Sequence, residues 1–190
     1  MTDYFALLEQ PQRPWIDDEK LKRAYHSKTL AAHPDASGAA ASSDFAELNE
    51  GYRILRDPRL RLNHLLALHG TAANDSSIPE QLQDLFPAIS SAVTHGRQVA
   101  EKMRAASSAL SRGLLRAEWS RSRSDIDQLL QRLTRLNDSA LDDLRALDAT
   151  WCDHAEACRA EAGRLAQMFA YLDRWRTQLD ELRFQLDTFI

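Results

Sequence analysis

Cysteine is scarce: the 190 residues hold only Cys152 and Cys158. Their six-residue separation sets them on different faces of a helix and fits neither a CxxC redox pair nor a zinc half-site, so they read as inert thiols of a reducing compartment. No apolar run is long enough to cross a bilayer, and the opening Met1-Thr2-Asp3-Tyr4 lacks the basic and apolar segments of a secretion signal, so a cytoplasmic protein with no membrane association is expected. Excess charge of one sign is missing as well. The net charge is -4, with 11 acids against 9 bases up to Ile78 and 17 against 15 beyond it. Neither half has the basic surplus of a nucleic-acid binder. His64, His69, His95 and His154 share no ligand spacing with a cysteine or carboxylate, so no metal and no other cofactor is expected.

Strand-like alternation is also rare. Nearly all apolar residues recur at helical spacing, and the six prolines and six glycines fall mostly between the periodic runs, which predicts an all-α fold. A short helix over 4–8 should end before a turn at Pro11 to Pro14. Asp17, Asp18 and Glu19 suit the positive N-terminus of a second helix running to about Ala32, where Pro34 stops it. Small polar residues over 36–43 make a loop, and Ser43 or Asp44 can start a third helix with Phe45, Leu48, Tyr52 and Leu55 on one stripe. Asp57-Pro58 closes it. A fourth helix with Leu60, His64 or Leu65, and Leu68 on one side should end at a glycine cap, Gly70.

Residues 71–78 then read as a linker, dividing the chain into 1–70 and 79–190, the latter an antiparallel helical bundle. Leu82, Leu85, Ile89, Ala92, Gly96, Val99, Met103, Ala106 and Leu110 keep three-four spacing, with Pro87 expected to kink the helix near its start. Leu165, Met168, Leu172, Trp175, Leu179, Leu182, Leu186 and Phe189 do so without a fault, the pattern of a helix packed lengthwise on another. Between them, the helix through Ile126, Leu129, Leu133 and Leu136 is interrupted at Asn137-Asp138-Ser139, by a tight turn or by a stutter, before Leu141, Leu144, Leu147 and Trp151 resume. Arg112, Arg116, Arg121 and Arg123 form a basic run among serines that could touch an acidic partner or membrane lipid, though a solvated helix end or loop is the commoner reading.

A long helix with Lys22, Tyr25 and His26, the triplet His33-Pro34-Asp35, a loop, and Phe45-Ala46-Glu47-Leu48-Asn49-Glu50-Gly51-Tyr52 follow one another in the order that resembles the J-domain (DnaJ-like) family. A lone tripeptide is a weak signal; its place between two amphipathic helices makes it specific. The resemblance implies an N-terminal J-domain helical hairpin that binds a DnaK-type ATPase chaperone and favours hydrolysis in that partner, so the chain itself is not an enzyme. It implies contact through His33, Pro34, Asp35, Lys22, Arg23 and His26. Asp35 would make a charge-assisted hydrogen bond to a partner arginine, Pro34 would stiffen the turn and His33 would orient it. Three departures stand out. Ala32 and Ala36 replace the family's usual aromatic and lysine, which fits lower affinity or a specialised partner. Lys28 occupies a usual core position, and its stem is expected to lie over the core with its charge in water.

No glycine-rich linker and no repeated CxxCxGxG motif follows, which excludes the general DnaJ layout. Arg56 to Gly70, together with Tyr171-Leu172-Asp173-Arg174-Trp175 near the end, instead resemble the iron-sulfur co-chaperone family HscB. That resemblance implies delivery of a client, an IscU-type scaffold, to an HscA-type chaperone. Leu82, Leu85 and Phe86 are the candidate client-binding residues, and ordinary core packing explains them equally well. A reading of a different class is a helical assembly protein with a J-like segment and no iron-sulfur role, its last heptads mediating self-association.

Overall fold

Aspartate caps begin three of the N-terminal helices. The computed structural model describes residues 1–31, 41–70, 78–152 and 156–189, the side chains of 41–44 excepted. Among these residues the fold is all-α, with no strand: α1 (Tyr4–Leu7), α2 (Asp18–Ala31), α3 (Ala41–Arg56), α4 (Pro58–Leu68), α5 (Glu80–Gln83), α6 (Phe86–Ala105), α7 (Ala109–Ala149) and α8 (Glu156–Asp187). Asp3 caps α1 by accepting from the Phe5 and Ala6 amides at 2.9 and 3.2 Å. Asp17 does the same for α2 with the amides of Glu19 and Lys20 at 3.0 and 3.1 Å. The Lys20 amide is the main reason that the Asp17 carboxyl sits below its ordinary pKa. Asp57 caps α4 through Leu60 at 3.0 Å, with Pro58 in the first turn, where a missing amide hydrogen costs nothing. Gly70 follows with φ +70°, the left-handed geometry of a helix stop. The expected loop over 36–43 falls mostly, and the expected linker wholly apart from Ile78, outside the described residues.

By its contacts the chain divides into two units, Met1–Ser76 with Leu141–Phe169 and Ser77–Ala140 with Ala170–Ile190. Residues 141–169 therefore group with the N-terminal helices and not with the rest of 79–190. Specific contacts account for this. The Arg13 guanidinium donates to the Asp148 carboxylate at 3.1 Å and also to the Asp148 carbonyl, the Trp15 amide donates to the same carboxylate at 3.1 Å, and Arg145 lies 4.5 Å over the Trp15 ring.

In the first unit α3 packs against α1, α2 and α4. Phe5, Leu8, Ile16, Leu21, Leu48, Leu55 and Leu65 form its core, with Tyr25, Tyr52 and Trp151 packed against them. Each fully buried leucine contributes roughly 1.5–3 kcal/mol. Among the described residues one charge lies inside: Arg61, 2% exposed, donates from Nε to the Pro14 carbonyl at 2.8 Å and from Nη1 to the Leu55 carbonyl at 2.6 Å. Burial lowers its pKa to about 10, against the opposing pull of Asp18, Asp57 and Asp148, so it stays charged at neutral pH. His64, also on α4, accepts the Tyr4 amide hydrogen on Nε2 at 3.2 Å and stacks on Phe5 at 5.6 Å.

The second unit is an antiparallel bundle, as cross-helix pairs show. Lys102 of α6 reaches Glu118 of α7 at 2.7 Å while Gly96 faces Ser122. On α8, Asp187 takes Arg123, Arg183 reaches Asp127 and Arg176 reaches Thr134, so α7 and α8 also run in opposite directions. Of the α8 stripe every residue from Leu165 to Leu186 is buried, and Phe189 is half-buried. Gly96 is required by close approach: a Cβ there would stand 2.6 Å from Leu182 Cδ2.

Two expectations change, and one open alternative is decided. Pro87 does not kink a continuous helix but starts α6 in its first turn, after the single turn of α5. The α6 stripe ends with the helix at Ala105, and Leu110 belongs to α7, where it is exposed. The interruption at Asn137 to Ser139 is no turn. α7 runs through it, with buried Ala140 carrying the stripe from Leu133 to Leu144 and Leu147.

Arg61→Met should lower the stability of the protein by about 3 kcal/mol, because two buried carbonyls lose a charged donor; urea unfolding measures it. Burial depresses the His64 pKa below 6.5 while Asp3 opposes the shift weakly. A depressed folded-state value means that the unfolded chain binds more protons, so the contribution of His64 is complete above pH 6.5 and is lost as pH falls through the folded value. Unfolding free energies at pH 7.5 and 5 should therefore diverge less in His64→Phe than in wild type.

Candidate functional site

α2 has one face in the core and one in water, and the division follows its sequence. Leu21 and Tyr25 point inward; Lys20, Lys22, Arg23 and His26 are all exposed. The inward side fixes the rotation of the helix. Tyr25 stacks on Tyr52 of α3 with ring centroids 4.4 Å apart, and its hydroxyl donates to Asn49 Oδ1 at 2.5 Å. Thr29 turns its hydroxyl back onto the carbonyls of Tyr25 and His26, at 2.9 and 3.0 Å. Arg23 donates Nε to the Glu19 carbonyl, and among the described residues no ion pair engages Lys20, Lys22 or Arg23. The result is a cationic face on a rigidly held helix, balanced at its N-terminal end by Asp17, whose carboxyl Lys20 and Arg23 help to hold below its ordinary pKa, and able to steer an anionic surface.

That face leads into residues 32–40, so His33, Pro34 and Asp35, as well as Ala32 and Ala36, lie outside the described residues. Lys28 does reach water, and it has a partner: Nζ pairs with the Glu9 carboxylate at 2.6 Å, from a backbone turn where Glu9 takes φ 52°. The unusual lysine is thus accommodated by an ion pair with the turn after α1.

The three candidate client-binding residues are separated by burial. Leu82 and Leu85 are 0% exposed in the core of the second unit, whereas Phe86, at the start of α6, is 49% exposed and presents surface. Two further residues matter that the sequence did not single out. Asn49 anchors Tyr25, and Arg61 fixes the turn that precedes α2; an arginine flanked by Leu60 and Leu62 gives no sign that it points inward. No helix among the described residues is long and apolar enough to span a membrane, and no group of histidines, cysteines and carboxylates there could hold a metal.

Residues 3–64 match the DnaJ domain family. A "Co-chaperone protein HscB homolog" of Azoarcus sp. (strain BH72) is 36% identical over 93 residues, 43% of this chain and 52% of the relative. A protein of the same description from Bordetella avium (strain 197N) is 33% identical over 88 residues, 40% of this chain and 52% of its own. The matches thus span about half the length of these relatives. Among solved structures, chaperone HscB from Vibrio cholerae shares the fold at a TM-score of 0.54 and 18% identity, covering 97% of this chain and 99% of that one. Human co-chaperone protein HscB does so at 0.50 and 18%, covering 95% and 82%.

Tyr25→Phe keeps the ring stack and removes the hydroxyl bonded to Asn49. It should cost about 1 kcal/mol in urea unfolding, and in amide exchange the loss of protection should be greatest in α2.

Proposed function

We propose that this chain, whose residues 3–64 are a DnaJ domain, is a J-domain co-chaperone of the HscB type acting in the cytoplasm. It binds a DnaK-type chaperone of the HscA class through His33, Pro34 and Asp35 together with Lys22, Arg23 and His26, and stimulates ATP hydrolysis there. The observation that carries the reading is the exposed cationic face of α2, which lies inside the DnaJ match and precedes the His33-Pro34-Asp35 segment in sequence. Lys20, Lys22 and Arg23 attract an acidic surface at long range and set the encounter orientation. Asp35 then supplies an acceptor for a partner guanidinium, the strong charge-assisted kind of hydrogen bond. Hydrolysis takes place in the partner. The chain contributes differential binding: by holding the hydrolysis-competent conformation more tightly than the resting one, it shifts the partner's population.

The C-terminal helices present the client, an IscU-type scaffold. Phe86 supplies the exposed apolar contact, and Leu82 and Leu85 act beneath it by fixing the α5–α6 corner.

Single-turnover ATPase assays of a DnaK-type chaperone from the same organism test this reading. Wild-type chain should accelerate hydrolysis about tenfold, His33→Gln should abolish the effect without unfolding the protein, and Lys22→Glu with Arg23→Glu should weaken it in a salt-dependent way. Added scaffold should raise stimulation further, and Phe86→Ser should remove that increment alone. Absence of stimulation with every such chaperone would overturn the proposal.

A further inference from the structure

A cleft of about 350 Å³ lies between the end of α6, the first turns of α7 and the end of α8, inside the range of roughly 300–1,000 Å³ that small-molecule sites occupy. Its apolar wall is made of Met103 from α6, Trp119 from α7 and Phe189 just past α8. Met103 is buried and the other two are half-buried. The Trp119 indole donates to the Leu186 carbonyl at 2.9 Å, so that part of the wall is fixed. Gly113 also lines the cleft and leaves it open: a Cβ built there would meet nothing within 4 Å.

The rest of the lining is cationic. Arg112 and Arg116 border the same cleft. A helix turns about 100° per residue, so Arg112, Arg116 and Trp119 share one side of α7 within about 60°, and the exposed Leu110 and Leu114 fall on the opposite side. Two arginines one turn apart repel each other, and these two lack a counter-charge. Arg112 donates Nε to the Ala106 carbonyl at 3.3 Å, and among the described residues no ion pair engages Arg112 or Arg116. The acids close to them in the bundle are spent: Glu118 takes Lys102 at 2.7 Å and His95 at 3.5 Å, and Asp187 takes Arg123 at 2.6 Å. No carboxylate lines the cleft. An apolar wall beside two unpaired guanidiniums selects a ligand with an apolar body and one anionic end, because a cation would be repelled and a bare inorganic anion would leave the wall in water.

We propose that this cleft binds an aliphatic carboxylate of about ten carbons, a size suited to the small end of the range for such sites. Its chain lies against Met103, Trp119 and Phe189, and its carboxylate accepts hydrogen bonds from the guanidiniums of Arg112 and Arg116. Burial of the chain supplies affinity, and the paired arginines set the orientation and the sign of charge. The site is separate from the cationic face of α2 and from Phe86, and holds whether or not the co-chaperone reading does.

Isothermal titration calorimetry of the full chain with decanoate, held below its micelle concentration, tests this, with decylammonium and decanol as probes of charge. Decanoate should bind one-to-one with a Kd of about 0.1 mM, at least tenfold tighter than either of the others, and should shift the Trp119 indole resonance. Arg112→Gln with Arg116→Gln, both at exposed positions, should weaken binding at least tenfold. Gly113→Leu should do the same by filling the cleft, at a helical position where a side chain meets no obstacle and favours the helix. Leu110→Ser with Leu114→Ser, on the opposite side of α7, should leave binding unchanged, and circular dichroism checks that each variant is folded. No saturable binding of decanoate, equal binding of decylammonium or decanol, an unmoved Trp119 resonance, indifference to the arginine or glycine substitutions, or loss of binding in the leucine variant would each overturn the proposal.

Discussion

A single buried guanidinium sets the geometry on which the N-terminal helices depend. Arg61 reaches from α4 to the carbonyl at the end of α3 and to that of Pro14, in the turn that launches α2. Its planar fork can satisfy two carbonyls at fixed angles, which a lysine ammonium cannot. Three aspartates around it, Asp18, Asp57 and Asp148, offset part of the cost of burying the charge. Arg13 and Trp15, on either side of Pro14, carry the constraint onward to Asp148 of α7. The turn is held from both sides, and the direction in which α2 leaves it is therefore fixed.

The proposed function depends on that direction. With Tyr25 locked between Tyr52 and Asn49, α2 cannot rotate about its axis, and Lys20, Lys22, Arg23 and His26 stay in water. A cationic surface held in one orientation loses little conformational entropy on binding beyond that of its own side chains, and the encounter it steers is already in register. Lys28 illustrates the same economy of placement: it leaves the cationic face to pair with Glu9, so the charge it would have buried becomes a tie between α2 and the turn after α1.

Much of this was legible in the sequence, and for physical reasons. Periodicity reports burial directly, so the α8 stripe from Leu165 to Leu186 is buried at every position. Caps report helix ends, as Asp57-Pro58 does for the start of α4 and Gly70 for its stop. What escaped is what periodicity cannot encode. The polar triplet Asn137-Asp138-Ser139 suited a turn as well as a stutter, and α7 is continuous through it, with Ala140 buried. Three-four spacing persisted across the end of α6 and placed Leu110 in the wrong helix. Pro87 was expected to kink a helix and instead stands in the first turn of α6, where a missing amide hydrogen costs nothing. The inward turn of Arg61, the pairing of Tyr25 with Asn49, and the grouping of residues 141–169 with the first helices rest on long-range contacts that leave no local trace. Among the candidate client-binding residues, spacing alone could not tell Leu82 and Leu85, which are core, from Phe86, which is not.

The most direct measurement is chemical-shift mapping of the isotope-labelled full chain against an unlabelled, ATP-bound DnaK-type chaperone. Perturbation should concentrate on the outward side of α2, at Lys20, Lys22, Arg23 and His26, and on residues 32–40, with the Tyr25, Asn49 and Arg61 signals unmoved. Perturbation confined to the second unit, or none at all, would contradict a chaperone-binding role for the α2 face.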